Sequence, residues 1–169
     1  MRIAMAAMLM AFPSLATAAP SEVLNKSVTI SYTVSIPGKG QDGSATSGVR
    51  NATRTVYISS AGRAFGRVVR QDGRHSGTKE LAPGDTGNTY RFEGNKLIGV
   101  VKFASGAGQM IVTFGQGGQS CSASIILGRD GGRPLRWKGV NGAAYEQTGP
   151  AVVSNPSCSV TAGNAFAGQ

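Results

Sequence analysis

The 169-residue chain has one histidine, one tryptophan and two cysteines, and these shortages exclude much chemistry at the outset. A lone histidine, His75, cannot build the common zinc sites, which draw several ligands from His and Cys. No glycine-rich segment has phosphate-loop spacing ahead of a helix. Acidic residues number only eight against seventeen Lys and Arg, and they are scattered singly. Paired hydrolase carboxylates, such as Glu93 with Glu146, would have to be brought together by the fold. Gly118-Gln119-Ser120-Cys121-Ser122 approximates a nucleophile elbow without its final glycine or its strand-to-helix setting. Asp130-Gly131-Gly132 is too short for a calcium loop and reads as a turn. The sequence leans away from an enzyme and implies no cofactor and no metal.

Long apolar runs are absent beyond the start. Arg2, the apolar stretch from Ile3 to Leu15 and the small residues Ala16-Thr17-Ala18 have the three parts of a secretory signal. The run is shorter than the roughly 20 apolar residues that span a bilayer. The expected organisation is a signal peptide over 1–18, cleaved after Ala18 or one residue later, and a single exported domain over 19–169. That domain would reside in the periplasm or outside the cell, with no transmembrane segment. Only Arg2 would leave with the signal, so sixteen basic residues would face eight acidic ones. Such a surface favours anionic partners.

Two cysteines in an exported chain point to one bridge. In Ser120-Cys121-Ser122-Ala123-Ser124-Ile125 the serines alternate against the apolar positions, and Ser157-Cys158-Ser159-Val160-Thr161 repeats the pattern. A Cys121–Cys158 disulfide is expected. A catalytic cysteine would need a base, and His75 sits in a polar loop.

Period-two alternation dominates the rest. Val28, Ile30, Tyr32, Val34 and Ile36 alternate with Thr29, Ser31, Thr33 and Ser35, ending at Pro37-Gly38-Lys39-Gly40. Further strands are expected over 53–59, 63–71, 88–92, 96–103, 109–114 and 120–127, with shorter ones over 134–138, 151–154 and 158–161. Glycine turns separate them, and 72–87 reads as a long loop. The segment 96–103 is apolar on both faces and belongs at the centre of a sheet. The fold class is all-β, an antiparallel meander forming a sandwich or barrel.

If Ser60-Ala61-Gly62 is a three-residue hairpin loop with Gly62 left-handed, Tyr57 opposes Phe65 and Thr55 opposes Arg67. Two rings would then face outward beside Arg63 and Arg67, while Val56, Ile58, Ala64 and Val68 share the apolar face. A register shifted by one residue would send Phe65 into the core instead. Rings and guanidinium planes suit stacking on sugars and binding anionic groups. A second basic cluster surrounds Trp137 with Arg129, Arg133, Arg136 and Lys138, where Trp137 reads as a buried anchor. Arg70, Arg74, His75 and Lys79 crowd the long loop. Asn25-Lys26-Ser27 and Asn51-Ala52-Thr53 match a glycosylation pattern that a bacterial-looking signal discounts.

The expected function is non-enzymatic binding of an anionic cell-envelope polysaccharide or lipid-headgroup surface through Tyr57, Arg63, Phe65 and Arg67. A barrel holding a small apolar ligand, lined by Leu97, Val101, Phe103, Met110, Val112 and Phe114, is the alternative; a hydrolase is a third. No pattern of a specific nucleic-acid reader is present.

Overall fold

Alternating apolar and hydroxyl side chains suit a strand with one wet face, and strands form wherever that alternation runs in the computed structural model. It describes residues 18–70, 79–80, 88–103, 106–127, 134, 136–138 and 142–168. The segment up to residue 17, where a signal was expected, together with Arg74, His75, Arg129 and Arg133, lies outside the described residues. The strands are β1 (Lys26–Gly40), β2 (Ala45–Ile58), β3 (Ala64–Arg70), β4 (Lys79–Glu80), β5 (Asn88–Glu93) and β6 (Lys96–Phe103). There follow β7 (Gly106–Phe114), β8 (Cys121–Leu127), β9 (Arg136–Lys138), β10 (Ala144–Gln147) and β11 (Val152–Ala162). Two single 3-10 turns, Ser21–Val23 and Gln116–Gly118, interrupt them. Among the described residues no helix is long and apolar enough to cross a membrane.

One sheet runs β4-β3-β2-β1-β10-β9, with β11 also paired to β1; the other is the meander β5-β6-β7-β8. Every ladder is antiparallel. Strand β6, apolar on both faces, is an inner strand of its meander. The two sheets curve around one core as a half-barrel. Val28, Ile30, Val56 and Ile58 of the larger sheet meet Phe92, Leu97, Met110, Val112 and Phe114 of the smaller. Each such side chain, fully buried, contributes about 1.5–3 kcal/mol. Leu97, Met110, Val112 and Phe114, the proposed lining of a ligand cavity, are all buried members of this core.

Among the described residues no ladder joins the two sheets. Where β8 lies against β11, the Cys121–Cys158 disulfide bridges them, with Cα atoms 5.6 Å apart. At the neighbouring corner Lys26 Nζ donates to the carbonyls of Gly117 and Gly118 at 3.1 and 3.0 Å. Ala19 packs on the core from the N-terminal side.

The structure departs from the sequence expectation in five places, the first being that β2 begins at Ala45 and not at residue 53. Strand β1 does not stop at Pro37 but continues to Gly40, and the turn is confined to 41–44, where Asp42 Oδ1 accepts from Ser44 N and Oγ. Pro37 is tolerated because β1 changes partners there: β11 pairs up to Ser35, and β10 begins opposite Gly38. A ladder N–H is not needed at that point. The segments 151–154 and 158–161 form one strand, β11, whose register slips between Ser31 and Thr33 of β1. Asn155 takes a left-handed φ of 52° at this bulge. Strand β10 was not expected. Within the expected long loop, Lys79 and Glu80 pair with Gly66 and Phe65.

Candidate functional site

The β2–β3 hairpin is set by its loop. Gly62 has φ +74°, its N–H donates to Ser59 O at 2.9 Å, and Ser59 N donates to Arg63 O at 2.9 Å. The ladder pairs Tyr57 with Phe65 and Thr55 with Arg67. Val56, Ile58 and Ala64 are buried on the opposite, inward face. Tyr57 and Phe65 are therefore outside the core, half-buried, with ring centroids 6.3 Å apart and planes tilted by 30°. Tyr57 Oη donates to Asn25 Oδ1 at 3.2 Å. Arg63 is exposed and Arg67 half-buried, so the four residues share one stretch of surface.

This stretch continues into rows of hydroxyls. Along the outward face of β1, Thr29 opposes Thr55, Ser31 opposes Thr53 and Thr33 opposes Asn51 on β2. Ser159, Ser157 and Ser154 of β11 flank the same β1 residues on the other side. The hydroxyls bond in pairs: Thr29 to Thr55 at 3.4 Å, Ser31 to Thr53 at 3.0 Å and Ser35 to Ser47 at 2.6 Å. Thr33 Oγ1 donates to Asn51 Oδ1 at 2.9 Å. A hydroxyl has one donor and two acceptor positions, so each pair keeps hydrogen-bonding capacity toward solvent. Successive rows lie about 6.8 Å apart along the strands and about 4.8 Å apart across them. No acidic side chain sits on the rows of β1, β2 and β11 between Ser27 and Ser35.

The C-terminal segment frames one end of this face. The buried Ser27 Oγ donates to Gly163 O at 2.7 Å and accepts from Ala165 N at 2.9 Å. Gly163 N donates to Asn25 O at 2.7 Å. These bonds hold Phe166 against the sheet, its ring 5.0 Å beneath the Arg67 guanidinium. Sequence reasoning missed Phe166.

Arg54 was also missed. It has the same parity on β2 as Val56 and Ile58, so it enters between the sheets opposite Ile30 and Val68. Its Nη1 donates to Tyr90 Oη at 2.8 Å. Burial works against its charge, but the neighbouring Tyr90 and Tyr32 hydroxyls outweigh that, and its pKa is raised. Tyr90 is buried, and burial lifts its pKa above the ordinary phenol value although Arg54 acts the other way. Gly99 makes room for this ring: a Cβ there would lie 2.9 Å from Tyr90 Cε1.

Trp137 is half-buried and stacks on Tyr145, centroids 5.8 Å apart. It lies over Gly38 and Gly48, where a Cβ on either would crowd its ring, so it anchors β9 to the end of the β1–β2 hairpin. Arg136 pairs with Glu146 at 3.0 Å and Lys138 is exposed. Glu93 is paired with Arg91 at 2.8 Å. Glu93 and Glu146 lie on different sheets, each bonded to its own arginine. Among the described residues no group of three or more His, Cys, Asp or Glu could hold a metal.

No family model, no curated protein and no solved structure matches this chain.

Proposed function

We propose that the protein is an exported, non-enzymatic binding domain that takes an acidic polysaccharide along the outward face of the larger sheet. The observation that carries the reading is the hairpin register, which sets the Tyr57 and Phe65 rings beside Arg67 at the head of an acid-free run of hydroxyls. Sugar rings stack on aromatic faces, and carboxylate or sulfate substituents meet guanidinium donors. The Ser and Thr rows offer donors and acceptors to successive sugar hydroxyls, which a lipid headgroup layer would not use. The excess of sixteen basic over eight acidic residues in residues 19–169 favours approach of an anionic chain. The disulfide supports export.

Retention on immobilised alginate tests the reading. Tyr57→Ser with Phe65→Ser removes the stacking surface and leaves the charge unchanged, and it should shorten retention at about 0.15 M salt, where screening reaches about 8 Å. Unchanged retention of this variant refutes the site. Equal dependence on the two rings for retention on phosphatidylglycerol vesicles would replace the polysaccharide with a lipid surface.

A further inference from the structure

We propose that Arg54, Tyr90 and Tyr32 form a second binding site, for a carboxylate or phosphate oxyanion, on the inward side of the half-barrel. The site is separate from the outward face, since Arg54 alternates with Thr53 and Thr55 and enters between the sheets.

A guanidinium withdrawn from water is costly unless an opposite charge or a full set of acceptors receives it. Arg54 is half-buried, and among the described residues its side chain bonds the Tyr90 phenol, with the Tyr32 phenol close by, and no carboxylate. Several N–H groups fan out from a guanidinium in a fixed fork. Tyr90 Oη takes one of them at 2.8 Å. The rest have no protein acceptor among the described residues.

The phenols are left with the complementary need. Tyr90 accepts from Arg54 through its oxygen, and both phenols keep their own O–H to donate. Tyr90 is 3% exposed, and its O–H finds no acceptor among the described residues. Tyr32 is half-buried beside it. The cluster therefore holds the unused edge of a guanidinium and two phenolic donors, all of them donors and together bearing one positive charge. An oxyanion satisfies every one of these groups, whereas a cation or a neutral acceptor-poor molecule satisfies none. Fork geometry suits a planar carboxylate or two oxygens of a phosphate.

The surroundings fix the cluster in place. The Tyr90 ring lies flat over Gly99 of β6, in the row that continues to Met110 and Ile125. Ile30 and Val68 flank Arg54 on either side. These apolar walls lower the local dielectric and strengthen an ion pair formed there.

Inorganic phosphate and acetate are the probes, each titrated at constant ionic strength against chloride while the amide spectrum of 15N-labelled protein is followed. The expected result is saturable shifts centred on Thr53 to Thr55 and on Gly99, with a saturable rise in Tm. Acetate acting without phosphate assigns a carboxylate ligand, the reverse a phosphate, and action by either supports the site. Arg54→Met keeps the apolar stem and should weaken the effect at least about tenfold, the value of one charge-assisted contact of about 1.4 kcal/mol. Arg63→Gln with Arg67→Gln should leave it intact, so loss of the outward site and loss of this one are distinguishable. Shifts spread over surface arginines, or no saturable shift with either anion in the wild-type protein, overturn the proposal without recourse to a variant.

Discussion

Removal of the Cys121–Cys158 bridge is the sharpest perturbation of the fold, because among the described residues no ladder connects the two sheets it joins. The bridged residues are 37 positions apart. On the chain-entropy model a loop of that length restricts the unfolded state by about 13 cal/mol/K, or about 4 kcal/mol at 25 °C. Both cysteines are half-buried against the core, and loss of two sulfur atoms from that packing adds about 1 kcal/mol. Cys121→Ala with Cys158→Ala should therefore lose about 4–5 kcal/mol, a large share of the 5–15 kcal/mol that holds a typical domain. Guanidinium unfolding followed by circular dichroism measures it. The midpoint should fall and the m-value should rise, since the unbridged chain exposes more surface when it unfolds. The β-sheet spectrum of the folded variant should persist, because strand alternation defines both sheets. An unchanged midpoint would refute the reasoning.

Two further outcomes follow from the Tyr90 environment. Gly99→Ala places a methyl group against the Tyr90 ring and should cost about 1–3 kcal/mol by overpacking, read as a lowered Tm; an unaltered Tm would mean that the ring is not confined there. In alkaline titration at 295 nm, Tyr90 should ionise above the ordinary phenol range, as a late component, because burial raises its pKa. The unfolded chain then loses that proton first, so the stabilising contribution is full below the unfolded phenol value and is lost as pH rises through the folded one. Tyr90→Phe should remove both the late absorbance component and that part of the alkaline loss of stability. A late component that survives the substitution assigns it to another residue.

The sequence left two registers open for the hairpin, and the left-handed Gly62 of the three-residue loop selects the one that keeps Tyr57 and Phe65 out of the core. Strand parity likewise placed Cys121 and Cys158 on facing apolar sides. Arg54 was hidden by the same rule: alternation puts it inward, yet an arginine among Val56 and Ile58 breaks the apolar pattern, and its phenol partners come from strands 22 and 36 residues away. Phe166 was hidden because Gly163 to Gly168 carries no periodicity and is held by hydrogen bonds to Asn25 and Ser27. The bulge at Asn155 split β11 in two when read as pattern alone, and β10 is too short, at four residues, to show a period. Placement of the outward face was thus readable, whereas its chemistry rests on long-range pairings that only the fold supplies.

Charge-matched variants give the most direct test of the outward face as a binding surface. Any strongly basic protein is retained on an acidic polymer at low salt, so two double variants that each remove two positive charges are compared by isothermal titration against alginate oligomers. Arg63→Gln with Arg67→Gln removes donors beside the aromatic pair, while Arg50→Gln with Lys96→Gln removes exposed charges that lie off that face. The first pair should weaken binding about tenfold or more beyond the second, since charge-assisted hydrogen bonds contribute about 1.5–3 kcal/mol each. Equal losses in the two variants would show diffuse electrostatics and contradict a site at Tyr57, Arg63, Phe65 and Arg67.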